Sequence, residues 1–90
     1  MNNPRRKAIQ GIIEKLESLQ VGIQAVMEEI ENIKVEEEEY RDNMPENLQN
    51  SERYEKADSA VDNLEEAYST IEDFEDSIND IISNLECAAE

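Results

Sequence analysis

The fold is decided by a short interruption in the sequence at residues 43–47, which read NMPEN. The residue before Pro45 is disfavoured in a helix, and asparagine is common in turns and helix caps. On both sides of this interruption, apolar residues recur at alternating spacings of three and four. That spacing is typical of α-helices that pack along one face. The sequence therefore predicts an all-α fold, in which two long helices fold back on each other as an antiparallel hairpin.

The seam, meaning the line of contact between the two helices, is predicted from the strongest apolar line in each segment. The upstream line is uninterrupted, and the downstream line has one polar member, Glu75. A polar residue on such a line commonly fixes how two helices align, and we expect Gln20 or a donor from another chain to pair with it. The predicted seam contains Ile9, Ile12, Leu16, Leu19, Ile23, Val26, Ile30 and Ile33 upstream, and Tyr54, Ala57, Val61, Leu64, Tyr68, Ile71, Ile78, Ile82 and Leu85 downstream.

The ends of the helices are predicted from capping residues. Asn3 can cap the first free amides of helix one, and Pro4 at the first helical position gives up a donor that has no partner there. Ser51 is expected to cap helix two in the same way. The chain is predicted to be a single domain over residues 1–90, with helix one over about 4–42, a loop over about 43–50 and helix two over about 51–88.

A second apolar line beside the seam predicts that the hairpin self-associates. With one Phe, three Tyr and no Trp, a single hairpin cannot build a thick core. A stripe wider than one seam is typical of a helix that faces more than one neighbour. Two copies are therefore expected to form a four-helix bundle dimer. The residues predicted at the interface between chains are Ile13, Met27, Ala67, Phe74 and Ile81.

The charge of the chain restricts its partners. The net charge is −16 and the sequence pI is about 4.1. Phosphate backbones and anionic membranes repel such a surface, so direct binding to nucleic acid or to a membrane is disfavoured and a basic protein partner is permitted. No stretch approaches the ~20 apolar residues of a membrane span. Together with the single cysteine, Cys87, these features predict a cytoplasmic protein.

The residues that enzymes and metal sites depend on are scarce. Histidine is absent, and no glycine-rich phosphate loop or nucleophile with an adjacent base is present. We therefore expect no catalytic residue, no cofactor and no metal. The densest run of charge, residues 36–39, is four consecutive glutamates. This run is either a solvated helix face or a docking surface for a basic partner.

The segment around the interruption carries a resemblance. Residues 40–57, YRDNMPENLQNSERYEKA, resemble the central motif of small uncharacterised bacteriophage and prophage proteins. The resemblance implies a mobile-element origin and a cytoplasmic, non-enzymatic role. From its residues, the motif forms the end of the hairpin, where Leu48 is expected to fold back onto the bundle. It is either an ordered cap or a recognition surface, and the candidate partner residues are Tyr40, Arg41, Pro45, Leu48, Arg53 and Tyr54.

The sequence thus predicts a non-enzymatic, acidic, self-associating helical module that binds another protein and is encoded by a phage or mobile element. One alternative is an acidic DNA mimic or host-defence inhibitor, whose carboxylates occupy a basic nucleic-acid site. Another is a structural or scaffolding protein of a phage particle. Salt separates the first two, because mimicry depends on charge and apolar docking does not.

Overall fold

Two long helices and a short connection make up the whole chain. In the computed structural model, which describes all 90 residues, α1 spans Asn3–Asp42 and α2 spans Glu52–Ala88. A single 3-10 turn over Glu46–Leu48 lies between them. The helices pack side by side in opposite directions, and the molecule measures 70 × 15 × 13 Å. The predicted all-helical hairpin is therefore confirmed.

Side-chain caps begin both helices. The Oδ1 atom of Asn2 accepts a hydrogen bond from the backbone N–H of Arg5 at 2.9 Å, so Asn2 and not Asn3 is the cap of α1. Pro4 still lies in the first turn, where its missing N–H costs no hydrogen bond. The hydroxyl of Ser51 accepts from the N–H of Tyr54 at 3.2 Å, as predicted for the start of α2.

The seam on α2 follows the predicted line. Ala57, Val61 and Ile78 are buried, and Glu75 occupies the expected place in the same line. The seam residues of α2 are alternately three and four positions apart in the sequence. The half-buried and buried residues of this line are Tyr54, Ala57, Val61, Leu64, Tyr68, Ile71, Glu75, Ile78, Ile82, Leu85 and Ala89.

The seam on α1 differs from the prediction in half of its members. Ile13 is only 6% exposed and Met27 is half-buried, although both were expected on an outer line. In their place, four apolar residues expected in the seam lie on the outer surface: Ile12, Leu19, Val26 and Ile33. The observed seam on α1 contains Ile9, Ile13, Leu16, Gln20, Ile23, Met27, Ile30, Lys34, Glu37 and Arg41.

Polar contacts with α2 explain this rotation of α1. The Nε2 atom of Gln20 donates to Oδ1 of Asn79 at 2.6 Å. The Nη1 atom of Arg41 donates to Oδ1 of Asp58 at 2.9 Å. Two polar members of the α1 seam, Gln20 and Arg41, thus reach polar groups on the edge of α2, and a third, Lys34, pairs with Glu31 and Glu38 on α1 itself. α1 can turn this mixed line inward because most of its polar members have partners.

The hairpin end is closed by Met44 instead of Leu48. Met44, the residue before Pro45, is 7% exposed, whereas Leu48 in the 3-10 turn is 36% exposed. Leu48 lies against this end of the hairpin, in a groove shared with Tyr40 and Met44, but it covers the seam less completely than Met44 does. Because Pro45 forces the chain out of the helix, the preceding side chain turns over the end of the seam.

Candidate protein-interaction surface

An uncovered apolar line runs along α1. Its members recur every seven residues, and each directly precedes a seam residue, as Val26 precedes Met27. A corresponding line on α2 contains Phe74 and Ile81, and Phe74 directly precedes Glu75. The large side chains of the two lines are 42% to 52% exposed; they are Ile12, Leu19, Val26, Ile33, Tyr40, Phe74 and Ile81.

Both lines lie on the same side of the seam. In an antiparallel pair of helices, equivalent heptad positions of the two helices lie on the same side of the seam. This is because the second helix is turned to face the first and also runs in the opposite direction. The contacts at the hairpin end agree with this geometry. Tyr40 belongs to the α1 line and Arg53 to the α2 line, and both line one groove of about 370 Å³ with Glu37 and Ala57. The two lines therefore form one surface, called the apolar face below.

The opposite side of the seam is acidic. Gln20 and Arg41 meet α2 there, at Asn79 and Asp58, which directly follow seam residues. Residues at the equivalent positions on both helices form the acidic flank, in which seven of ten members are acids. The members are Gln10, Glu17, Gln24, Glu31, Glu38, Asp58, Glu65, Glu72, Asn79 and Glu86.

Lys34 is, with Arg41, one of two basic residues of the seam that face this flank. Its Nζ atom lies 3.5 Å from Glu31 and 3.7 Å from Glu38. Partial burial by itself lowers the pKa of Lys34, but the nearby carboxylates, including that of Glu65, raise it by more. The pKa of Lys34 therefore lies above its ordinary value of 10.5.

The apolar face is almost free of acids. It comprises the apolar line of each helix and the next line outward from the seam, together 22 helical positions. Only 2 of the 24 acids occur there, Glu29 and Glu36, against four of the eight bases. The face thus carries a net charge of +2 in a chain of −16. The bases are Arg5, Lys15, Arg53 and Lys56.

The residues predicted at an interface between chains are divided by the structure. Ala67, Phe74 and Ile81 lie on the apolar face, where Ala67 and Phe74 line a shallow groove of about 600 Å³. Ile13 and Met27 lie in the seam, so their predicted place on an outer line is wrong. The sequence prediction missed the α1 members of the face, because the same residues also complete a regular apolar seam.

The predicted partner residues at the hairpin end lie in two settings. Four of them line a second shallow groove of about 370 Å³ beside Met44: Tyr40, Pro45, Leu48 and Arg53. Tyr54 is half-buried in the seam. Arg41 is held by ion pairs with Asp42 at 3.0 Å and with Asp58 at 2.9 Å. The hydrogen bond with Asp42 raises the pKa of Arg41, and that with Asp58 acts in the same direction.

Glu75 is the polar exception in the α2 seam. Its Oε2 atom is buried without a hydrogen-bond partner. Gln20, the expected donor within the chain, donates to Asn79 instead, so that prediction is wrong. The pairing of Glu75 with a donor from another chain stays a prediction. Glu75 and Tyr68 line a groove of about 430 Å³ on the acidic side of the seam, together with Met27 and Glu31.

The fold and its surfaces define a helical hairpin with one apolar face and one acidic flank. Neither helix contains a stretch that is both long and apolar enough to span a membrane. No protein-family model, curated protein or solved structure matches the chain. The resemblance of residues 40–57 to phage proteins therefore stays a prediction.

Proposed function

We propose that this chain is a non-enzymatic protein-interaction module, and that its apolar face binds a second copy to form a four-helix bundle dimer. The observation that supports the proposal is the apolar face itself. Seven large apolar side chains follow one side of the hairpin and are 42% to 52% exposed. Contiguous apolar patches larger than a few hundred Å² are rare on monomeric proteins, and such patches usually mark an interaction site.

The dimensions of the face suit a protein interface. From Ile12 to Tyr40 it extends about 42 Å at 1.5 Å per residue, and the hairpin is 15 Å wide. The resulting patch of roughly 600 Å² is close to the ~800 Å² that each partner contributes to a standard interface. Its centre is apolar and its edges are polar, which is the usual arrangement in such interfaces.

Charge favours a second copy as the occupant. Two chains of −16 repel each other unless they meet where their acids are absent. The apolar face, at +2, is such a place, and it leaves the acidic flanks of both copies in water. The rotation of α1 is also consistent with this dimer. A lone hairpin would gain more free energy by burying Leu19 and Val26 in its seam than by burying Gln20 there. A dimer covers both the seam line and the apolar line of α1.

A pair of matched valines tests the proposal. Val26 on the apolar face is 42% exposed, and Val35, on the same helix but away from that face, is 41% exposed. Val26→Glu should convert the dimer into a monomer, because it buries a charge at the interface. Val35→Glu adds the same charge and should leave the dimer intact. Phe74→Glu should act like Val26→Glu.

Light scattering coupled to size exclusion at micromolar concentration measures the outcome. A wild-type chain of 10.4 kDa should elute with twice that mass. A monomeric wild type, or equal dissociation by both valine variants, would overturn the proposal. Helix content measured by circular dichroism separates dissociation from unfolding.

The acidic flank supports a second candidate function. Of its ten members seven are acids, and they follow a rod 70 Å long. A dimer that buries its apolar faces presents two such flanks outward, as an acidic DNA mimic or an inhibitor with a basic target would. This role, together with the phage origin implied by residues 40–57 and a cytoplasmic location, is part of the proposal. Binding to a basic partner that weakens steeply with added salt would support mimicry.

A further inference from the structure

We infer that the two copies pair head to tail, with their loops at opposite ends of the dimer. This inference rests on the proposed self-association and specifies the geometry of its partner. Two identical faces whose helices stay aligned, as in a four-helix bundle, can meet about a two-fold axis in two ways. If the axis runs along the hairpin, both loops lie at one end and α1 contacts α2 of the second copy. If it runs across the hairpin, the loops lie at opposite ends and each helix contacts its own equivalent.

The two ends of the hairpin differ in charge. The loop end, residues 36–58, contains nine acids and three bases, a net of −6. The open end, residues 1–15 and 80–90, contains four acids and four bases, a net of zero. Loops at the same end would place two charges of −6 side by side, within about a Debye length at low salt. The head-to-tail arrangement places each −6 end beside a neutral one.

The few charges on the edge of the apolar face also favour the head-to-tail arrangement. On α1 this edge carries Lys15 toward the open end, and Glu29 and Glu36 toward the loop. The centre of the face lies between Leu19 and Val26, since Phe74, the middle of the α2 line, lies opposite this part of α1. Reversal about that centre brings Lys15 of each copy beside Glu29 and Glu36 of the other.

The arrangement with both loops at the same end forms fewer ion pairs between these charges. It brings Lys15 of one copy beside Ser77 and Asn84 of the other, where no acid is present on that edge. Its one edge ion pair joins Glu36 to Lys56 of the second copy. Glu29 then lies between Asn63 and Thr70, which carry no charge.

Side-chain sizes on α2 also fit the head-to-tail pair. Going along α2, the line on the apolar face reads Ala60, Ala67, Phe74, Ile81 and Ala88. Reversal about Phe74 places the small Ala67 of one copy opposite the large Ile81 of the other. Two Phe74 rings then meet near the axis, in reach of an offset stack.

Distances between spin labels on the two loops test the inference. Asn47→Cys in a Cys87→Ser background provides one exposed label per chain, because Cys87 is the only natural cysteine. Head-to-tail pairing should give a distance between copies of about 60 Å, twice the roughly 30 Å from loop to centre at 1.5 Å per residue. Loops at the same end should give less than about 30 Å, since packed helices lie 8–10 Å apart. Ala25→Cys, near the centre and outside the apolar face, is the control, with a short distance in both arrangements.

A charge swap gives an independent readout. Lys15→Glu should weaken the dimer about tenfold, and adding Glu29→Lys and Glu36→Lys should restore it. Lys56→Glu, which meets no acid in the head-to-tail pair, should change the dimer less. A loop distance of about 60 Å and rescue by the swap support the inference. A short loop distance in a stable dimer overturns the inference but leaves self-association intact, whereas a monomer with no distance between copies overturns both.

Discussion

Gln20 on α1 donates a hydrogen bond to Asn79 on α2 at 2.6 Å, and this contact joins the two helices near the middle of the hairpin. Gln20 is the seam residue that displaces Leu19, which lies one position earlier and remains on the surface. The same exchange is repeated along α1, where Lys34 takes the place expected for Ile33. The hydrogen bond of Gln20 is therefore one example of the contacts that accompany the rotation of α1, and this rotation creates the apolar face.

Removing the acceptor should weaken the hairpin. Asn79→Ala leaves the Gln20 amide without its partner and should lower the free energy of unfolding by about 0.5–1 kcal/mol, because the contact is partly exposed. Urea denaturation at a fixed protein concentration measures the change. Asn32→Ala is the matched control, since Asn32 is exposed on α1 and makes no side-chain hydrogen bond. Equal effects of the two variants would contradict the assigned contact.

The error in the predicted seam is confined to α1. On α2 a single line of apolar residues is strong enough to form a seam, and its only polar member, Glu75, lies within it. On α1 two lines share Ile9, Leu16, Ile23 and Ile30 and differ by one residue elsewhere. Apolar content favours the line that contains Leu19 and Val26.

The choice between the two α1 lines depends on residues far away in the sequence. Gln20 and Arg41 can face inward because Asn79 and Asp58 lie on the edge of α2. Such pairings between distant residues leave no trace in the periodicity of α1 alone. The prediction therefore placed the hairpin and the exposed outer line of α2 correctly, and assigned the α1 residues to the wrong lines.

Replacing Glu75 should stabilise the hairpin. Its buried Oε2 atom has no hydrogen-bond partner, and desolvating a polar atom without compensation costs roughly 1–3 kcal/mol. Glu75→Leu removes that cost and continues the apolar seam, so we expect the free energy of unfolding to rise by about 1–2 kcal/mol. Urea denaturation measures the rise, and Glu66→Leu, at an exposed position of α2, is the control. A loss of stability would mean that Glu75 has a partner, such as a donor from another chain.

Alkaline pH should weaken the contribution of Lys34 to the stability of the folded chain. Nearby carboxylates raise its pKa in the folded chain above 10.5. A raised pKa means that folding favours the charged form, so this contribution is complete below pH 10.5 and is lost as the pH rises through the folded value. Lys34→Met keeps the apolar stem but carries no charge. The difference in unfolding free energy between the wild type and this variant should shrink between about pH 9 and pH 12, and a constant difference would contradict the assignment.

Salt should strengthen the dimer and weaken any complex with a basic partner. Two chains of −16 repel each other as they meet, and the apolar face contributes few charges of its own. Raising the ionic strength from about 0.02 M to 0.2 M shortens the Debye length to less than 10 Å, which screens this repulsion. The dissociation constant of the dimer, measured by sedimentation equilibrium, should therefore fall. The same change screens attraction between the acidic flank and a basic protein, so that dissociation constant should rise. Val35→Glu should respond to salt at least as strongly as the wild type, because it adds one more acid to each copy. A dimer that weakens with salt would indicate an interface held by ion pairs, in conflict with the apolar face.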